Sequence, residues 1–326
     1  MKMLVISKKE VKSLLSMPEL ILATNESYKE YSKLKMIKSQ RINSVINDSS
    51  IVVNLPGYLA SIPMFTVKVN VKTPSNTAKG LPFLRGCIQL FDIEDGKLLA
   101  MMESSLITAM RTGAAGAIGV EQLANPSASQ VALIGAGAQG EWQIRALHTI
   151  NRVSSVYIYD IITSKALDLS KKLSSELGIS CYVCTSPQKA VEESNILILT
   201  TQSQTSIIFP EMLKPGLHIN AFGADQPGKV ELDAEVINNS KVYVDDLNIA
   251  LTVGALNVAY QTQQISSMNS FLEIGDVIEK PELGRTSQEQ ITVFANTGLA
   301  FQDLVACSLI YQQALEHDIG SWIDFD

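Results

Sequence analysis

Gly135-Ala136-Gly137-Ala138-Gln139-Gly140 places glycine at the first, third and sixth positions, a spacing with which a main chain can wrap a pyrophosphate. The first glycine permits a tight turn, the second lets the backbone approach the phosphates, and the third lets a helix pack closely on a strand. Amides at the start of that helix, at Ala138 and Gln139 among others, would then face the anion. Asp160 stands twenty residues past Gly140, at the end of the next apolar run. A carboxylate there accepts the adenosine ribose hydroxyls and repels a 2′-phosphate, while Ile161 and Ile162 offer no cation to hold one. The implied chemistry is binding of NAD in preference to NADP. Thr112 and Thr200 are further expected NAD contacts.

These residues need a scaffold, and the texture of the chain supplies one. From about Gln130, short apolar runs alternate with amphipathic stretches: Val131 to Ile134, Val156 to Tyr159, Cys181 to Cys184, Ile196 to Thr200, His218 to Phe222, Val242 to Val244 and Ile291 to Phe294. That succession predicts a doubly wound parallel sheet. Thr163 is expected to cap a helix that Gly178 ends. The earlier half reads as α+β. Ser7 to Glu10 forms a capping box, and Leu20, Ala23, Tyr28, Tyr31 and Leu34 give a second helix its apolar face. Strand-like runs follow at Ile51 to Asn54, Met64 to Val71, Cys87 to Asp92 and Leu98 to Met102. Pro281 to Arg285 reads as a surface turn, and a final helix runs to about Ala314.

A chain of 326 residues, 46% hydrophobic, is long enough for two domains, and its net charge of -7 disfavours nucleic-acid or anionic-membrane partners. No apolar stretch is long enough to span a bilayer, and the first ten residues do not read as a signal peptide. Four cysteines make no disulfide framework, so a cytoplasmic setting is expected. Cys181 and Cys184 form a Cys-x-x-Cys with no second ligand pair, and read as buried strand residues; no metal is expected.

Three further segments resemble the ornithine cyclodeaminase/μ-crystallin family: Lys68-Val-Asn…Pro74-Ser-Asn76, Thr108-Ala-Met-Arg111-Thr112-Gly-Ala-Ala, and Asn220-Ala-Phe-Gly-Ala-Asp225-Gln-Pro-Gly-Lys229-Val-Glu-Leu. The tail Thr297-Gly-Leu-Ala-Phe-Gln-Asp303 is similar to the family's archaeal alanine dehydrogenase branch. The resemblance implies a substrate-binding and dimerising α+β domain of residues 1–112 with 302–326, a Rossmann NAD domain of 113–301, and a homodimer sharing strands of the first domain. It also implies that Arg41, Lys68 and Arg111 hold a substrate carboxylate, which two guanidinium forks and an ammonium are suited to do. Asp225 matches the acid placed near the reacting amine, where a buried carboxylate could take a proton.

The implied activity is conversion of L-ornithine to L-proline and ammonia through an imino acid, with the hydride returned by the same NADH. Lys68 would position the carboxylate. The alternatives are an NAD-dependent alanine or other amino-acid dehydrogenase, a 1-pyrroline-2-carboxylate reductase, an opine-like condensing reductase, and a non-catalytic crystallin-like nucleotide-binding protein. Departures from the family pattern bear on this choice. Asn54 stands where the cyclodeaminase motif has a glutamate for the distal amine, Phe83 replaces a threonine, and Thr73 replaces a histidine before Pro74.

Overall fold

A computed structural model describes residues 2–33, 41–47, 50–265 and 271–324. They divide into two compact units, Met1–Arg111 with Leu299–Asp326, and Thr112–Gly298. The chain opens with β1 (Lys2–Ile6), α1 (Lys8–Leu14), α2 (Met17–Lys33), β2 (Ile42–Asn47), β3 (Ser50–Tyr58), β4 (Met64–Lys72), β5 (Leu84–Asp92) and β6 (Leu98–Glu103). The division between the units falls within α3 (Ser104–Leu123). Then come β7 (Gln130–Ile134), α4 (Ala138–Thr149), β8 (Ser155–Tyr159), α5 (Thr163–Leu177), β9 (Ser180–Val183), α6 (Pro187–Glu192), β10 (Ile196–Leu199), β11 (Gln204–Ile208) and β12 (His218–Ala221). The second unit continues through β13 (Val230–Leu232), α7 (Ala234–Asn238), β14 (Lys241–Val244), α8 (Leu247–Ala250), α9 (Asn257–Gln261), β15 (Leu272–Glu273), α10 (Ile274–Glu279) and β16 (Thr292–Ala295). The chain closes with α11 (Ala300–His317) and β17 (Ser321–Asp324).

The first unit is built on a seven-stranded sheet ordered β17-β1-β6-β5-β4-β3-β2. Successive strands from β2 to β6 pair antiparallel, so hairpin register fixes which side chains share a face. The interior strand β4 inverts the ordinary alternation after Met64: its further buried side chains are Thr66, Lys68, Asn70 and Lys72, while Phe65, Val67, Val69 and Val71 on the other face are only half-buried. Polar residues inside a sheet require partners: α11, which packs on β3, β4 and β5, brings Asp303 to Lys68, and Ser104 at the start of α3 donates to Asn70 Oδ1. Phe301 of α11 meets Tyr28 edge-on at 5.2 Å and Tyr31 at 5.0 Å. Ser7 and Glu10 form the expected reciprocal cap, while Leu34 lies outside the described residues.

The strand expected over Ile51 to Asn54 continues through Leu55-Pro56-Gly57. β2 pairs with β3 only as far as Asn54, so Pro56 lies where β3 is paired with β4 on one side and no longer with β2 on the other, a place where a sheet tolerates proline. Gly57 is required by packing, since a Cβ there would lie 2.5 Å from the Ala300 carbonyl and 2.6 Å from Thr66 Oγ1.

The second unit carries an eight-stranded sheet ordered β15-β14-β16-β12-β10-β7-β8-β9, parallel throughout. Read outward from β7, the order reverses between β8 and β10, the switch point at which doubly wound sheets bind ligands beyond their carboxyl ends. Fully buried strands explain the apolar runs in the sequence. Three local expectations need correction. Thr163 is the first helical residue and not the cap; Asp160 Oδ1 instead accepts the Ile162 amide at 2.8 Å and closes the turn ahead of the helix. Cys184 falls just past β9, and both Cys181 and Cys184 are half-buried, with burial pushing their thiols up. Pro281 to Arg285 starts at the surface, yet Arg285 turns inward: Nε donates to the Leu123 carbonyl at 2.8 Å, Nη2 to Thr292 Oγ1 at 2.9 Å, and Nη1 to the Gln290 carbonyl.

Such a clasp converts a turn into a structural joint. Arg285→Ala is expected to lower the stability of the protein by about 1–3 kcal/mol, because the acceptors it leaves lose their donor away from bulk water. Chemical denaturation with and without the substitution checks this; an unchanged midpoint would contradict it.

Candidate functional site

The glycine loop leaves β7 with Gly135 at φ +105, and a Cβ there would lie 2.9 Å from the Thr200 carbonyl. Gly140 is pressed against the turn, with 2.3 Å between a built Cβ and the Gly135 carbonyl. Gly137 differs: a Cβ would meet nothing within 4 Å, so the space beside the start of α4 is open. Gly137 caps α4 without a side-chain hydrogen bond, and Gly137 and Ala138 are exposed, so the first amides of the helix face that space. Thr200 Oγ1 donates to the Gly135 carbonyl at 2.9 Å, and the Thr112 carbonyl accepts from Gln143 Nε2 at 2.9 Å. Asp160 Oδ2 accepts the Ala136 amide at 2.8 Å, which brings its carboxylate to the loop. Among the described residues Gln139 Oε1 is buried without a protein partner. An open cradle, unspent helix amides and an adjoining carboxylate fit a dinucleotide.

Two buried acids, to which sequence reasoning assigned no role, hold the carboxyl edge of this sheet. Glu231 accepts from the Thr201 amide and hydroxyl at 2.7 and 2.8 Å and from the Gly223 and Ala224 amides at 2.9 and 3.2 Å. Burial pushes its pKa up, although these donors oppose the shift. Asp245 accepts the Thr297 and Gly298 amides, each at 2.8 Å, and burial raises its pKa to about 6. Their only sequence signal is an acid inside or directly after an apolar run. Asp225 sits on the loop that Glu231 anchors. The expectation of a buried Asp225 is corrected: its side chain keeps 31% exposure and accepts from Lys229 Nζ at 2.6 Å, and Lys229 also reaches Gln202. The loop's own lysine is four residues away, so the carboxylate is neutralised at the rim rather than in an apolar interior.

The first unit assembles a second cluster. Lys68 on β4 and Arg111 on α3 converge on Asp303 in the first turn of α11: Nζ of Lys68 donates to Oδ2, and Nε of Arg111 to Oδ1 at 3.2 Å. Arg111 Nη1 donates to Gln302 Oε1 at 2.7 Å, and Gln302 Nε2 donates to the Tyr28 hydroxyl at 2.6 Å. Burial is the largest influence on Lys68 and lowers its pKa to about 8; Asp303 supports its charge, while Arg111 and Arg41 oppose it. Burial would raise Asp303, yet Lys68 and Arg111 outweigh it and hold the carboxyl below its usual range. Arg41, half-buried just before β2, therefore acts on Lys68 by charge.

Antiparallel register sets Leu55 opposite Lys68 and Val53 opposite Asn70, so these two share the buried face, while Asn54 stands opposite Val69 on the other face. Thr73 and Phe83 together close the connection between β4 and β5, the Thr73 amide donating to the Phe83 carbonyl at 2.9 Å.

Comparison with known proteins accords with this geometry. The model of the ornithine cyclodeaminase/mu-crystallin family matches residues 1–318, and the chain belongs to that family. It is 35% identical to an alanine dehydrogenase of Archaeoglobus fulgidus over 100% of this chain and 99% of that protein. The structure of an archaeal alanine dehydrogenase dimer with bound NAD superposes with a TM-score of 0.93 at 34% identity, covering 100% of both chains. That of Thermococcus litoralis Δ1-pyrroline-2-carboxylate reductase with NADH and L-proline gives 0.92 at 31% identity, covering 98% of this chain and 99% of the other. The protein is an NAD-dependent enzyme of this family.

Gly140→Ala tests the loop directly. Overpacking of about 1–3 kcal/mol is expected to weaken NAD binding by about ten- to a hundredfold, measured by calorimetry. Wild-type affinity in that variant would contradict the close packing of helix on loop.

Proposed function

We propose that the protein interconverts an L-α-amino acid and its α-imino acid, with hydride exchanged with NAD. The substrate side chain is small and apolar or closed into a ring. The observation that carries this is the buried face around Lys68. It offers cations for one carboxylate, while its β3 positions, Val53 and Leu55, are apolar and Asp303, the acid that lies there among the described residues, is already engaged. Among the described residues, an ω-ammonium finds no unengaged counter-charge on that face. The relatives named as an alanine dehydrogenase and a pyrroline-2-carboxylate reductase support the same chemistry.

In this reading Lys68, Arg111 and Arg41 bind and orient the substrate carboxylate, so that the α-carbon is held for transfer. The glycine loop, Asp160, Thr112 and Thr200 hold NAD, which supplies the hydride acceptor or, reduced, the donor. Asp225 exchanges the proton at the substrate nitrogen, its partial exposure making it reachable. That same accessibility favours a second reading, deprotonation of a distal amine in cyclisation of L-ornithine to L-proline with loss of ammonia. The non-catalytic crystallin-like alternative is disfavoured, because Lys68, Arg111 and Asp225 are all in place.

The inverted face of β4 supports a homodimer. Phe65, Val67, Val69 and Val71, with Phe91 stacked on Phe65 at 4.8 Å, form an apolar surface that a second copy of the sheet would cover. Four free thiols accord with a cytoplasmic setting.

Incubation with L-alanine, L-proline, L-ornithine and Δ1-pyrroline-2-carboxylate, read for NADH and ammonia together, decides between the readings. Stoichiometric change in NADH with an amino acid or imine is expected. Ammonia from ornithine with NAD only catalytic would establish cyclodeamination instead. Substrate affinity is expected to fall as pH rises through about 8, where Lys68 loses its proton; a KM constant from pH 7 to 9.5 would contradict the role of Lys68.

A further inference from the structure

Asp303 carries no substrate-binding role in the scheme above, yet both candidate carboxylate-binding cations close on it. Its side chain is 1% exposed, and Lys68 and Arg111 are 3% and 6% exposed. Three separate elements, β4, α3 and α11, supply one residue each, so nothing local in the chain forces them together. Asp303 lies in the first turn of α11, where the helix dipole favours a negative charge. Gln302 beside it takes Arg111 Nη1 and is itself fixed by the Tyr28 hydroxyl and by the Leu299 amide at 3.2 Å. Among the described residues these bonds use Nε and Nη1 of Arg111 and one donor of Lys68, leaving Nη2 and two ammonium hydrogens for another acceptor.

We propose that Asp303 is the positioning residue of the carboxylate site: it holds Lys68 and Arg111 side by side and charged, so that their remaining donors form a preorganised cradle for a substrate carboxylate. The inference rests on the proposed carboxylate-binding role of Lys68 and Arg111. Without Asp303 two like charges would share a buried site, with Arg41 adding a third, and the amine is the group that can give up its charge. The charged or titratable groups that bear on Lys68 and Asp303 are Arg111, Arg41 and the buried Cys307 thiol, which burial raises well above its ordinary value.

The test uses the full-length enzyme with NAD, comparing the wild type with Asp303→Asn and Asp303→Glu. Two readouts are taken: the pH midpoint of Lys68 reactivity toward an amine-selective acylating reagent, located by mass spectrometry, and calorimetric binding of pyrrole-2-carboxylate, a planar carboxylate probe. In Asp303→Asn the midpoint is expected to move below about 8 and probe affinity to fall at least about tenfold, while NAD affinity is unchanged. Asp303→Glu keeps the charge, so it is expected to restore the Lys68 midpoint but only part of the affinity, because the carboxylate is displaced by a methylene. An unmoved midpoint in Asp303→Asn, or full affinity in either variant, overturns the proposal. The Lys68 midpoint needs no turnover, so a wild type that fails to oxidise or reduce any substrate tested would refute the proposed function while leaving this result to stand or fall separately. If Asp303→Asn does not fold, the Glu variant decides, since unchanged probe binding there would exclude a positional role.

Discussion

A carboxylate buried between two cations is the constraint on which the first unit depends. The Lys68 ammonium on the inner face of a sheet would be untenable alone, since an unpaired charge in such surroundings costs several kcal/mol. Asp303 makes it tenable, and that fixes the position of α11 on β3 and β4, the closeness of Gly57 to the Ala300 carbonyl, and the seating of Phe301 against Tyr28 and Tyr31. The polar face of β4 follows from the same requirement. Its apolar residues are displaced to the opposite face, where the proposed second subunit would cover them.

The second unit solves a related problem with different means. A loop meant to receive a ligand cannot be filled by its own side chains, so it must be held from outside. Glu231 and Asp245 do this at the carboxyl edge of the sheet by accepting amides from the loops that follow β10, β12 and β16. Each is buried, and each keeps several donors, which is how a carboxylate survives there. Asp225 rides on one of these loops and is left at the rim, partly exposed and paired with Lys229.

Much of the second unit was legible in the sequence because local rules and global packing agree there. Strands covered on both faces are apolar throughout, the glycine spacing is dictated by backbone geometry, and Gly178 ends α5 in the left-handed conformation at φ +69. The first unit was harder. β2 and β17 are exposed and of mixed polarity, so they carry no periodic signal. The strand expected to end at Asn54 runs on through Pro56 to Tyr58, because proline is tolerated where the neighbouring strand β2 has already ended. The motif match at Asn54 does not say which face of the strand it lies on; the pairing with β4, which sets it opposite Val69, does. Asp303 lies 235 residues from Lys68, and the Asp245 contact with Thr297 spans 52. Partners at such separations are set by tertiary packing, and no local pattern announces them.

In the proposed function, hydride transfer at the α-carbon needs both a fixed carboxylate and a bound dinucleotide. The most direct measurement follows the label from NADH carrying deuterium at both hydrogens of nicotinamide C4 during reduction of Δ1-pyrroline-2-carboxylate or of an imino acid formed from a keto acid and ammonia. The account predicts deuterium at Cα of the L-amino acid, with one cofactor oxidised for each product formed. Product without deuterium, or ornithine converted to proline with no net loss of NADH, would contradict it.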